Sequence, residues 1–338
     1  MGGQLASVIL EAEKRSGFFT KMPITNNPSY EVAELLLRTV SVQSDSKVTS
    51  SHWQKYSKFS VAYRSKTGHL DFNASGREGL GGFKKATMSA RLKHLPSSQA
   101  LNRILNKYIP QPGTLAASRK LCKRMNVIFG FDQAKSVLIY DVLNQYKIFQ
   151  QNGSICIIGD GYGFMGSLIK EINPESHVIY VNLHQNLMLD ALGFSKCFPQ
   201  ESACLFDRSA SPTTMWDDSH TIFLTAENYA ELSQRPISLF INVASMQEMH
   251  PEVTKMYFEF MRQSTVEAFL YCLNREEKIL PGSEVAYFDE YPWGEADVLL
   301  DERCPFYQRW PSNIPPFLRK FDGPHRHKLV RLDRIGES

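Results

Sequence analysis

The sequence predicts an α/β protein in which residues 151–338 form an open, mostly parallel sheet and residues 1–150 a mostly helical region. Three observations carry this. Short β-branched apolar runs recur from Ile155 to Leu273 with helix-like stretches between them, the alternation that a parallel sheet requires. The first run, Ile155-Cys156-Ile157-Ile158, breaks into Gly159, Gly161, Gly163 and Gly166, as a buried strand does where it turns tightly into a helix. Upstream, apolar residues recur at helical spacing instead, as in Ala134, Val137, Leu138, Tyr140, Val142, Leu143 and Tyr146.

Taken in order, a helix is expected over Glu31 to Arg38 with Asn27 or Ser29 as its cap. A serine-rich loop follows from Ser41 to Ser51, then a glycine- and asparagine-rich turn from Asn73 to Gly82, and helices over Ala100 to Tyr108 and Gln133 to Gln150. This half has no strand series of its own. Strands are expected at Ile155 to Ile158, Val178 to Val181, Thr221 to Leu224, Ser238 to Val243 and Ala268 to Leu273. Glu284 to Asp289 and Lys328 to Asp333 add edge strands, and the polar stretch from Cys197 to Ser219 reads as an insertion. Ligands of such sheets lie beyond the carboxyl ends of the strands, so the loops after Ile158, Val181, Leu224 and Val243 are where a site is sought.

Composition sets limits. The chain has 338 residues, 43% apolar and 22% charged, which suits a globular protein of one large or two ordinary domains. A net charge of +3 offers no electrostatic case for nucleic acid. No apolar stretch approaches the ~20 residues that cross a bilayer, and the start Met1-Gly2-Gly3-Gln4-Leu5-Ala6 has neither a myristoylation pattern nor a signal-peptide core. The expectation is a cytoplasmic protein. Six cysteines without a C-x-x-C pair read as reduced thiols, with neither a disulfide framework nor a metal site.

The glycine loop admits two cofactor classes. Gly161-x-Gly163-x-x-Gly166 satisfies the dinucleotide fingerprint, and Gly159-x-Gly161-x-Gly163 satisfies the pattern of S-adenosylmethionine-dependent methyltransferases. A dinucleotide site wants an acid about 20 positions on; here the second strand ends in Asn182 followed by Leu183. After the fourth strand comes Asn242-Val243-Ala244-Ser245-Met246-Gln247-Glu248-Met249-His250, with five hydrogen-bonding side chains where a reacting group would be met. Ser245 and Glu248 also satisfy a capping box, the structural alternative for both.

Gly159-Asp160-Gly161-Tyr162-Gly163 together with Asn242 to Met249 resembles the sugar O-methyltransferase family, which pairs a G-x-G-Y-G loop with an N-x-x-S-x-Q-E-M segment. Tyr271-Cys272-Leu273-Asn274-Arg275, Tyr291-Pro292-Trp293, Asp322-Gly323 and His327-Lys328-Leu329-Val330 resemble it too, so the likeness covers about Gly153 to Leu332. It implies a Rossmann-like, seven-stranded class I methyltransferase sheet with its last strands antiparallel, S-adenosyl-L-methionine as cofactor, and a sugar hydroxyl of a saccharide or glycoside as acceptor. Cofactor contacts are then expected from Gly159, Asp160, Gly161, Tyr162, Gly163, Asn182, Leu183, Asn242 and Ser245, with Asp160 reaching the donor's amino group. Departures from the class pattern are Ile157, Asn182 and Ser238, which stand where many class I enzymes carry a carboxylate.

Transfer to an alcohol wants a general base, for which Glu248 comes first and His250 second. Gln247, Trp293 and His327 are expected at the acceptor, and Trp53, Tyr162 and Trp310 are further sugar platforms. The acidic group Asp289, Glu290, Glu295 and Asp297 reads as a solvated face. Two competing classes are a sugar oxidoreductase using NAD, which wants a Tyr-x-x-x-Lys pair that is absent after Val243, and a non-catalytic protein retaining the fold. The N-terminal half is expected to cover the acceptor or to form a dimer contact with a second copy of the chain.

Overall fold

The computed structural model describes residues 31–33, 36, 60–64, 69–73, 86–205, 220–233 and 235–333. The expected caps Asn27 and Ser29, as well as Trp53, lie outside them. Helix is present at 31–33 and 36. The first half also contains an antiparallel hairpin, β1 (Ser60–Arg64) and β2 (His69–Asn73), against the expectation of no strands. Four helices follow: α1 (Met88–Lys93), α2 (Leu95–Tyr108), α3 (Pro112–Met125) and α4 (Phe131–Gln145). The helix expected to reach Gln150 stops at Gln145, because Lys147 turns left-handed (φ 58°) into a short 3-10 turn.

The second half begins with β3 (Ser154–Ile158), α5 (Phe164–Ile172), β4 (Val178–Asn182) and α6 (His184–Cys197). Next come β5 (Ala203–Leu205), β6 (Thr221–Thr225), β7 (Ile237–Val243), α7 (Pro251–Met261) and β8 (Phe269–Arg275). It ends with β9 (Glu277–Ile279), β10 (Val285–Tyr287), β11 (Asp297–Arg303), β12 (Arg309–Pro311), β13 (Leu318–Lys320) and β14 (His325–Arg331). The main sheet has eight strands in the order β11-β14-β8-β7-β3-β4-β6-β5. Seven of them, with β14 alone reversed, make the class I methyltransferase sheet with its helical N-terminal region, and β5 is an added parallel edge.

Three details differ from the sequence reading. Only β14 runs against the rest, since β11 is antiparallel to β14 and so returns to the common direction. Residues 328–331 belong to an interior strand, β14, whereas the edge on that side, β11, carries exposed side chains that alternate too weakly to read as a strand. Residues 284–289 leave the sheet, as β10 pairs only with β9 in a separate ribbon.

Strands β3, β4 and β6 are buried along their whole length, which explains their unbroken apolar runs. The larger core cluster joins Leu121, Met125, Val137 and Leu143 of α3 and α4 to Ile155, Tyr180, Ile241 and Tyr271 of the sheet. The apolar core therefore runs without a break from the N-terminal helices onto one sheet face. A second cluster, built on α7, fills the other. No two cysteines among the described residues form a disulfide.

Candidate functional site

The chain leaves β3 toward β4 and β6 but leaves β7 toward β8, so the loops after β3 and β7 part at a switch point, where open α/β sheets place ligands. The first wall is the glycine loop, with Gly159, Gly161 and Gly163 at φ of 78°, 89° and 66°. A Cβ on Gly159 would lie 2.1 Å from Ser245 Oγ, and one on Gly163 2.5 Å from the Asp190 carbonyl oxygen. At Gly161 a Cβ would meet nothing within 4 Å. Two of these glycines are thus demanded by packing against the turn after β7 and against α6, while Gly161 faces open space. Gly166 belongs to packing as well, its Cβ position lying 2.2 Å from Tyr180 Oη.

Asp160 spends both carboxylate oxygens on the first turn of α5, accepting from Met165 N–H (3.0 Å) and Gly166 N–H (2.9 Å). It fills the anion seat that a helix N-terminus offers. Burial pushes its carboxyl up to about 6, against the pull of those amides and of Lys135. Behind it Asp190, on α6, is fully buried and accepts from Gly163 N–H and Asn182 Nδ2, each at 2.8 Å. Burial, and then the Asp160 charge, hold Asp190 well above the usual carboxylate range. Asn182 is committed at both ends, since its Oδ1 accepts from Leu183 N–H at 2.9 Å. Tyr162 is buried under α6, with Lys196 Nζ donating to its hydroxyl at 3.0 Å.

The second wall is the turn after β7. Asn242, fully buried, donates to the Ile158 carbonyl (2.9 Å) and accepts from Met246 N–H (3.1 Å) and Asn274 Nδ2 (2.9 Å). Gln247 donates its N–H to Asn274 Oδ1 (3.1 Å) and accepts Arg275 N–H at its Oε1 (2.7 Å). These two amides brace the turn. Ala244 adopts φ 57°, rare for a residue with a Cβ, which marks an over-determined turn. The capping box does not form. Ser245 makes no side-chain cap bond, and α7 begins later, capped by the exposed His250, whose Nδ1 accepts from Glu252 N–H at 3.4 Å.

Between the walls lies a slot of about 20 Å³ lined by Ile158, Gly159, Val181, Asn182, Leu183, Ala226, Ser245, Glu248, Met249, Val253 and Tyr257. It brings together five of the residues expected from sequence: Gly159, Asn182, Leu183, Ser245 and Glu248. Burial pushes the Glu248 carboxyl up to about 7 against the pull of Lys278 and Arg275, so near neutral pH it is poised to take a proton.

The residues expected at the acceptor do not meet. His327 and Lys328 point to opposite faces of β14. His327 is buried between Tyr271 Oη (3.0 Å) and Glu302 Oε1 (3.3 Å). Trp293 lies on the other face, beneath Lys328 Nζ (4.6 Å from the ring centre), and donates to the Phe288 carbonyl. Trp310 is on the β12 ribbon under Arg319. Asp289 and Asp297 pair with Arg326 and Arg331. His184 opens α6, its ring bonded to the Leu36 carbonyl.

Four residues not singled out for catalysis line the carboxyl edge beside Glu248. Lys135 comes from α4, bonded to Asp132 (3.1 Å) with its Nζ 5.1 Å from the Tyr307 ring centre. Burial opposes its charge, yet Tyr307, Asp132 and Asp160 outweigh that and hold it above the ordinary lysine range. Tyr307 stacks on Phe131 and abuts His325, and Arg275 ends β8. A lysine inside the apolar periodicity of α4 was the available signal.

No protein-family profile matches the chain, and no curated protein does. Solved structures do resemble it. Geranyl diphosphate C-methyltransferase from Streptomyces coelicolor is 11% identical over 59% of this chain and 78% of that one, with a TM-score of 0.37. TehB from Haemophilus influenzae is 12% identical over 57% and 62%, at 0.35, and protein 1320 of Thermoplasma acidophilum 11% over 65% and 97%, at 0.37. Likenesses this distant carry nothing about chemistry; the strand order itself defines the fold as that of the class I methyltransferases. No helix among the described residues is long and apolar enough to cross a membrane.

Proposed function

We propose that the chain is an S-adenosylmethionine-dependent O-methyltransferase acting on a sugar hydroxyl. The observation that carries the choice of cofactor is Asp160. A dinucleotide's pyrophosphate would need the N-terminus of α5, and a carboxylate already sits there on two amides. Methyltransferase donors carry no phosphate, so the same loop suits them.

The lining of the slot agrees in chemistry, being apolar apart from backbone, Asn182, Ser245, Glu248 and the Tyr257 hydroxyl. In size it holds little more than one water, whereas ligand pockets run to about 300–1,000 Å³. Donor entry therefore requires the two walls of the slot to part. Gly159, Gly161, Asn182, Leu183 and Ser245 would then hold the donor, with Asn242 and Gln247 bracing the wall. Asp160, bound to α5, shapes the loop and leaves the donor's amino group to others.

The donor supplies an electrophilic methyl when bound. Glu248 takes the proton that the acceptor hydroxyl gives up as its oxygen forms the new bond, and the charges of Lys278 and Arg275 favour the ionised carboxylate that accepts it. Transfer of labelled methyl from S-adenosylmethionine into a panel of saccharides and glycosides tests this, with Glu248→Gln expected to reduce the rate by about 10²–10⁴-fold. Label found only in non-saccharide acceptors would overturn the acceptor class. The narrow slot and the residues Ile157, Asn182 and Ser238 favour the second reading, a non-catalytic protein, which absence of donor binding would support.

A further inference from the structure

Strands β8 and β14 are antiparallel neighbours, and Arg275 stands directly opposite His325 at the carboxyl edge of the sheet. Directly opposed residues share a face. Arg275 Nε and His325 Nδ1 are each buried and lack a hydrogen-bond partner among the described residues, and His325 is 1% exposed. A buried polar atom without a partner costs about 1–3 kcal/mol, so two on facing residues call for a ligand that satisfies both.

The surroundings say what kind. The Tyr307 and Phe321 rings lie 4.5 and 4.7 Å from the His325 ring, and Lys135 Nζ hangs 5.1 Å from the Tyr307 ring centre. These packed rings keep water from the polar groups, which strengthens their hydrogen bonds to a ligand. Arg275 N–H is bonded to Gln247, the residue before Glu248, which ties this face to the candidate base. The counter-charges are Asp132 and Asp160, which act on Lys135, Glu248, which feels both Arg275 and Lys135, and Asp322, 3.7 Å from the outer guanidinium nitrogen of Arg275. Asp322 is fully exposed and holds that nitrogen only weakly, leaving Nε directed inward.

We infer that Arg275, His325, Lys135 and Tyr307 form the acceptor subsite, and that it takes a saccharide bearing an oxyanion, a carboxylate or a phosphate. The guanidinium and Lys135 receive the oxyanion, His325 bonds a neighbouring hydroxyl, Tyr307, stacked on Phe131, walls the group, and the reacting hydroxyl faces Glu248. This rests on the methyltransferase reading for its reaction but not for its binding.

The test is calorimetric titration of the full chain, without donor, with glucuronate, glucose 6-phosphate and glucose. At least one anion is expected to bind about tenfold or more tightly than glucose, and Arg275→Gln to erase that advantage with an unchanged melting temperature. The two anions separate carboxylate from phosphate. Should Arg275→Gln fold poorly, Lys135→Gln is expected to weaken anion binding by about tenfold and leave glucose unaffected. Equal binding of all three sugars, no binding of either anion, or anion binding untouched by both variants would overturn the subsite. S-adenosylhomocysteine titrated separately reports on the donor: anion binding without it would remove the methyltransferase reading and keep the subsite.

Discussion

Glu248→Gln separates stability from function by pH. Burial lifts the folded Glu248 carboxyl from 4.5 to about 7. Below pH 4.5 the group is protonated in both states, and its contribution to stability is fully present. Between the two values the unfolded chain has released the proton while the folded chain keeps it, so stability falls as pH rises; above about 7 the loss is complete. Each pH unit of that window is worth about 1.4 kcal/mol, and allowing for the partly exposed edge of the side chain the whole is about 2 kcal/mol. Glutamine never carries the charge and escapes this loss. Urea unfolding of wild type and variant at about pH 4 and about pH 8.5 should show the variant gaining about 2 kcal/mol on wild type across that interval. A difference between the two proteins that stays constant with pH would refute the buried, raised carboxyl, and with it the poised base.

Other consequences follow from the same walls. Asn242→Ala removes a hydrogen-bond partner from the Ile158 carbonyl, Met246 N–H and Asn274 Nδ2 at once and should cost about 3 kcal/mol in urea unfolding; a loss below about 1 kcal/mol would mean the turn after β7 is braced otherwise. Gly159→Ala places a Cβ 2.1 Å from Ser245 Oγ at φ 78°, so donor-analogue affinity should be lost, and Ser245→Gly should not restore it because the backbone strain of roughly 1–2 kcal/mol remains. Full affinity in the double variant would show that the clash alone mattered. Asp190→Leu leaves Gly163 N–H and Asn182 Nδ2 unpaired and should lower the melting temperature; an unchanged melting temperature would deny the buried network.

The interior of the sheet was readable because β3, β4 and β6 are buried on both faces, so Ile155 to Ile158 and Val178 to Val181 leave unbroken apolar runs. Strand β11 left no such trace, since its side chains at the edge face water. In the site, the glycine loop and the segment from Asn242 to Glu248 were legible as local patterns. Asp190 was not, because its partners Gly163 and Asn182 are brought to it only by the docking of α6. Lys135 and Arg275 reach the same edge from opposite halves of the chain, and no spacing rule links them. His250, next to Pro251, serves as the cap of α7.

The central claim is that a loop whose helix N-terminus is already filled by Asp160 takes a phosphate-free donor. Calorimetry with S-adenosylhomocysteine and with NAD measures it directly. S-adenosylhomocysteine should bind and NAD should not, whereas binding of NAD alone would contradict the account.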